Sequence, residues 1–244
     1  MFRLIALILC LALVSCTTHD SRPAPVPAPA PSTLPDFPIG VYLNAATGSV
    51  YQVDSSSSYA DILVRRGGKL ARFGHDHVVS ARNIYGYLMI TDNHPEGSRA
   101  DLRLELNSLT VDDPLTRKKY DLDTEPSEND IQNTGENMQH KVLESDKWPL
   151  TDLQIVITGG AMDVLEGQLT INLHGQKLEL PVVIHVDEFT PDQLAASGSF
   201  SLLQSAFGIK PFSVMGGGLY VEDTVEVSYH LIAKRLLPSA EKQK

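Results

Sequence analysis

From residue 164 onward the chain alternates apolar and polar side chains with a period of two, which commits it to antiparallel sheet with one dry face. Leu165, Gly167, Leu169, Ile171 and Leu173 share one face of an extended strand, and Glu166, Gln168, Thr170 and Asn172 share the other. After His174-Gly175, where glycine supplies the positive φ of a tight hairpin, the alternation resumes with Leu178, Leu180, Val182, Ile184 and Val186. The last run places Leu219, Val221, Val225, Val227, Tyr229 and Leu231 on one side and Glu222, Thr224, Glu226, Ser228 and His230 on the other. Shorter runs at 50–54, 61–66, 84–91, 102–106, 153–157 and 199–203 bring the expected total to eight or nine strands, mostly in meander order. The fold class is therefore all-β with one short helix, closed as a barrel or stacked as a sandwich. A barrel of about eight strands has a bore that side chains fill or that holds one small ligand. Both cases need the same inward apolar residues, so periodicity leaves that choice open.

One segment departs from the pattern. Over residues 127–144, Ile131, Met138 and Val142 fall on one helical face, and Ser127 with Asp130 three residues on resembles an N-cap. Gly135 predicts a short or interrupted helix, lying across an opening or edge of the sheet.

The amino terminus carries an address. Arg3 is the sole charge before residue 19, Leu4 to Val14 is unbroken apolar sequence, and Ser15 precedes Cys16. That order describes a secretory signal, and the run is too short for the roughly 20 residues of a membrane-spanning helix. Leu13-Val14-Ser15-Cys16 resembles the lipobox of bacterial lipoproteins, which implies cleavage after residue 15 and acylation of Cys16. In the sorting logic of that class, Thr17 rather than Asp after the cysteine implies the outer membrane, facing the periplasm. Prolines alternating with Ala24, Val26, Ala28 and Ala30 favour an extended polyproline II stalk at about 3.1 Å per residue. The layout expected is a signal peptide at 1–15, the lipidated cysteine and linker at 16–48, one domain at 49–235 and a disordered tail at 236–244. Cys10 leaves with the signal, so the mature chain has one cysteine and no internal disulfide. The formal charge is −10, and loss of Arg3 leaves −11, which argues against nucleic acid and anionic membrane surfaces as partners.

A series of motifs then follows in order. Tyr51-Gln52-Val53-Asp54-Ser55 opens the domain, and Arg72-Phe73-Gly74-His75-Asp76-His77 precedes Ile84-Tyr85-Gly86-Tyr87-Leu88. Met138, Val142-Leu143-Glu144-Ser145 and Trp148-Pro149-Leu150 lead into Glu166-Gly167-Gln168-Leu169-Thr170-Ile171 and Leu173-His174-Gly175. Ser205-Ala206-Phe207-Gly208-Ile209 and Val221-Glu222-Asp223-Thr224-Val225 close the series. Together these resemble the YceI-like family, the lipid- or polyisoprenoid-binding, lipocalin-like barrels of bacterial periplasms. The resemblance implies an extended antiparallel barrel with a helix alongside, and carriage, storage or sensing of an isoprenoid lipid or quinone rather than catalysis. This chain departs from the family pattern at His75-Asp76-His77 and at Gln204-Ser205-Ala206, where an arginine is usual before the closing Phe-Gly.

The residues expected to line a pocket for an isoprenoid or fatty-acyl chain are Ile84, Leu88, Leu104, Leu169, Ile171, Leu180, Val182, Val225 and Val227, with Phe73, Phe207 and Phe212 at the ends. His75, Asp76 and His77 allow three readings: a structural turn, contact with a ligand's polar head, or a divalent-metal site with both imidazoles on one face of a strand and the carboxylate completing the shell. No Gly-x-Ser-x-Gly, His-Glu-x-x-His or phosphate-loop pattern occurs, so no catalytic residue is assigned. A barrel with a filled core serving as an interaction module is the further alternative, and homodimerisation is left open.

Overall fold

The computed structural model describes residues 36–91 and 94–236. Cys16, the signal at 1–15, the proline-rich stalk and the tail beyond residue 236 lie outside the described residues. Twelve strands form one sheet: β1 (Ser49–Val53), β2 (Tyr59–Gly67), β3 (His77–Ala81), β4 (Ile84–Ile90), β5 (Arg99–Glu105), β6 (Thr110–Val111), β7 (Leu150–Gly160), β8 (Val164–Leu173), β9 (Gln176–Phe189), β10 (Gln193–Leu203), β11 (Ser213–Val214) and β12 (Leu219–Arg235). Helices α1 (Ile39–Leu43), α2 (Pro114–Lys119) and α3 (Glu128–Asn137) complete the elements used below.

The sheet closes on itself. β12 pairs with β1 through its last residues, Tyr51 opposite Arg235, and with β2 along the rest, His230 opposite Tyr59. Likewise β3 and β4 lie end to end along β2 and β1, and β5 and β6 along β4 and β3. Three of the staves are thus broken strands, and with β7, β8, β9, β10 and β12 they make an eight-stave, up-and-down antiparallel barrel. The first break is a serine run after Asp54, whose carboxylate accepts from the Ser56 hydroxyl at 2.6 Å and draws the backbone out of the ladder. Ser55 Oγ donates to the Arg82 carbonyl at 2.9 Å and accepts from the Ile84 amide at 3.1 Å, so one hydroxyl bridges the break in the neighbouring stave.

The alternating runs face as their sequence predicts: Leu169, Ile171, Val182, Ile184, Val225 and Val227 are buried. The half of the bore nearest β1 is solid, filled by Tyr51, Ile157, Leu165, Ile184, Leu194 and Ala233. The stretch just before the barrel, grouped with the linker in the sequence, is folded onto the outer wall. Tyr42 of α1 is buried, stacks on Tyr87 at 5.6 Å and donates to Asp101 Oδ2 at 2.5 Å. Burial and that hydrogen bond push its phenol pKa above the usual value. Among the described residues the hydrophobic core lies within one compact unit, residues 34–244.

The expected helix is present and capped as read: Ser127 Oγ accepts from the Asp130 amide, and the Asp130 carboxylate accepts from the Ser127 amide. Gly135 does not interrupt it. The helix passes through Gly135 and widens to a π turn at Met138–Val142 instead. No helix among the described residues is long and apolar enough to cross a membrane.

Candidate functional site: an apolar bore with a histidine-bearing mouth

The half of the barrel bounded by β2, β3 and the first part of β12 is hollow. It encloses a cavity of about 480 Å³ walled by side chains such as Ile62, Val64, Val79, Leu202 and Val225. That volume lies within the roughly 300–1,000 Å³ typical of small-molecule sites. Its floor is made by Leu104, Leu153, Phe200 and Val227, and beneath it lies a separate void of about 60 Å³. Helix α3 and the π turn roof one side with Asn133, Asn137, Met138 and Val142.

Of the residues expected to line the pocket, Phe73, Leu104, Ile171, Phe207, Phe212, Val225 and Val227 line the main cavity. Ile84, Leu169 and Val182 line the small void below it. Leu88 and Leu180 line neither. Leu88 pairs with Tyr51 in the solid half, and Leu180, opposite Leu169, packs partly buried against the core. Alternation states which face a residue takes but not its height in the bore, so inward position alone did not separate floor from wall. The walls of β2 and β10 were not singled out from sequence, although Ile62, Val64, Phe200 and Leu202 carry the same period-two signal.

The three residues of the His75-Asp76-His77 stretch part company. His75 and His77 both line the cavity, their rings 6.1 Å apart and at 67° to each other. Asp76 turns away: its carboxylate accepts from Arg65 Nη1 at 3.2 Å and from the Arg66 amide at 2.9 Å. The expectation that Asp76 joins the histidines around a ligand or metal is therefore corrected, because two arginine partners on β2 hold it outside. Among the described residues no three His, Cys, Asp or Glu side chains are placed to hold a metal ion.

A different carboxylate serves His77. Asp112, its side chain wholly buried, lies 2.6 Å from His77 Nδ1. It also accepts from the Val78 amide at 3.0 Å and from Arg117 Nη1 at 2.6 Å. Burial alone would raise the Asp112 pKa, but the His77 bond, the Val78 amide and Arg117 outweigh it and hold it below the usual carboxylate value. An ionised carboxylate only accepts, so the proton in the His77–Asp112 bond belongs to Nδ1, and Nε2 is the ring's remaining polar atom. Arg117 Nη1 donates as well to the Asp76 carbonyl at 2.8 Å, tying the histidine segment to α2. His75 Nδ1 is buried and has no hydrogen-bond partner among the described residues. On the facing helix, Asp130 is held ionised below the usual range first by its bonds to Ser127, with smaller contributions from the two histidines. Asp112 and Arg117 were not identifiable from sequence as parts of this site, since Asp112 reaches His77 only through the pairing of β6 with β3, and Arg117 reaches Asp112 from α2.

The site is therefore a one-ended apolar bore with two imidazoles at its open end. Such a site binds by burying hydrocarbon and orients its guest through a few polar atoms. A family model for the YceI-like domain matches residues 51–233. No curated protein sequence matches the chain. Among solved structures, the chain is similar to a polyisoprenoid binding domain from Saccharophagus degradans implicated in plant cell wall breakdown, with TM-score 0.53 and 11% identity over 76% of this chain and 98% of that one. It is likewise similar to BcnA of Burkholderia cenocepacia, with TM-score 0.54 and 11% identity over 74% of this chain and 98% of that one. At such identity these likenesses speak for the fold alone, while the family match covers most of the barrel in sequence. The chain belongs to the YceI-like family.

Proposed function

We infer that this protein binds one apolar chain, of isoprenoid or fatty-acyl type, tail inward in the hollow half of the barrel, for carriage, storage or sensing and without chemistry on the ligand. The observation that carries this reading is the cavity of about 480 Å³ with a mostly apolar wall and with His75 and His77 among its few polar lining residues. Burial supplies the affinity at about 25 cal/mol per Å² before the costs of association. His77 Nε2 and the unpartnered His75 Nδ1 suit a head that offers a hydroxyl, carbonyl or phosphate oxygen, as in a prenyl alcohol, quinone or prenyl phosphate. The Saccharophagus degradans domain, described as polyisoprenoid binding, supports the same ligand class. The lipobox at Leu13–Cys16 supports cleavage, acylation of Cys16 and residence in the cell envelope at the outer membrane, with the proline stalk as spacer.

Native mass spectrometry of residues 34–244, purified without detergent, tests the reading. One apolar adduct per chain is expected, and a folded Leu202→Trp variant, which fills the bore, is expected to arrive empty. An empty parent protein, or a folded Leu202→Trp that keeps the adduct, refutes it. A bound divalent ion lost in His75→Ala/His77→Ala would favour metal binding instead.

A further inference from the structure

The open end of the bore is rimmed by two segments, residues 67–74 and 208–219, that are stitched to each other by the Leu70 amide donating to the Gly218 carbonyl at 2.8 Å. This lip joins two features at the mouth of the cavity. Phe73 and Met215 stand 61% and 66% exposed, beside Val214, and Phe73 and Val214 line the cavity as well. The cations Lys69, Arg72 and Lys210 are exposed on the same segments, which contain no Asp or Glu, and none of the three is ion-paired among the described residues. The Arg72 guanidinium sits 4.7 Å over the Phe73 ring. A chain of formal charge −10 thus carries a locally basic, apolar tip at the place where a ligand must enter.

We propose that this lip docks on an anionic lipid surface, Phe73 and Met215 entering the head-group layer while Lys69, Arg72 and Lys210 meet lipid phosphates. Apolar side chains flanked by cations are the composition that binds a bilayer interface by burial and charge together. Continuity with the cavity gives the contact a purpose: the wall residue Phe73 is also exposed at the lip, so a chain leaving the bilayer enters the bore along an apolar path. Whole-chain charge predicts the opposite preference, and the reversal comes from segregation: the three lip cations outnumber the one carboxylate that lies against the lip, Glu222 beside Gly67, while Asp76 is engaged by Arg65 and Arg66 and Asp123 by Arg66. Screening at about 10 Å in ordinary salt leaves a surface to respond to the charges of its own tip.

The test uses residues 34–244, which lack the leader and Cys16, in co-sedimentation with vesicles of phosphatidylglycerol and phosphatidylethanolamine or of phosphatidylcholine alone. Binding to the anionic vesicles is expected, weakening as salt is raised. At about fivefold per cation, Lys69→Ala/Lys210→Ala should bind roughly 25-fold more weakly. Phe73→Ser/Met215→Ser should lose binding, while Met162→Ser/Val183→Ser, which alters exposed apolar residues elsewhere, should not. No binding, equal binding to phosphatidylcholine, or lip variants that bind like the parent each overturn the proposal. So does a concentration-dependent dimer abolished by Phe73→Ser/Met215→Ser, which would assign the lip to a second copy. Vesicle binding and cavity occupancy are read separately, so failure here is distinguishable from failure of the ligand reading.

Discussion

Asp112 shows how much of this site rests on a residue that does not line the cavity. It adopts a left-handed backbone conformation, φ 55°, with its side chain wholly buried beneath His77 and Arg117. Removing it as Asp112→Ala leaves a buried guanidinium without its charge partner, a loss expected to cost about 3–5 kcal/mol in urea unfolding at pH 7. Because its folded pKa is depressed, the stabilisation is full above the ordinary carboxylate pKa and is lost as pH falls through and below that value. The gap between parent and Asp112→Asn should therefore narrow below about pH 4; a gap that is constant with pH would show that the carboxylate is not ionised in the fold. Gly175 gives a second test. Its φ is 72°, and a Cβ there would lie 2.5 Å from the Trp148 ring. Gly208, at φ 69°, has open space at the same position. Gly208→Ala should cost about 1 kcal/mol for backbone strain alone, and Gly175→Ala about 1–3 kcal/mol more as Trp148 is displaced. Equal costs in chemical denaturation would mean that Trp148 yields freely.

Among the elements, the strands were legible and the insert between β6 and β7 was only half so. β8 and β9 matched their alternation because both faces of that hairpin have one fate each, core or solvent. β3 was not marked as a strand, since His77-Val78-Val79-Ser80-Ala81 is buried on both faces and so does not alternate. Helix α3 was legible through its cap, and the π turn that continues it through Met138 and Val142, both of which line the cavity. Its continuity through Gly135 was not, because a Cβ there would meet only Val111 at 4.0 Å and the position is neutral in packing. Ser127→Ala removes one half of the capping box and should cost about 1 kcal/mol. Since α3 buries no residue completely, that loss should appear as faster amide exchange over 128–137 with the barrel strands unchanged. Exchange that accelerates across β7 and β8 as well would make α3 part of the global unit.

For the whole molecule the deciding feature is that the barrel is solid at one end and hollow at the other. On the proposed reading, the floor sets the length of chain that the bore accepts. Phe200 lines both the main cavity and the void beneath it. Phe200→Ala should join them, lengthen the accepted chain by a few carbons and destabilise the fold by about 3 kcal/mol. An unchanged mass distribution of bound lipid in the folded variant would show that the floor does not set length. The sequence by itself determined the long alternating strands, their inward faces, the capped helix and the family resemblance, because these depend on local periodicity and short motifs that hold before any long-range contact forms. Only the tertiary structure decided where the bore is empty, that Asp112 rather than Asp76 backs His77, and that cations and exposed apolar side chains gather at the mouth. Those properties depend on which residues from distant segments share a height along the barrel, and a pattern of period two carries no coordinate for height.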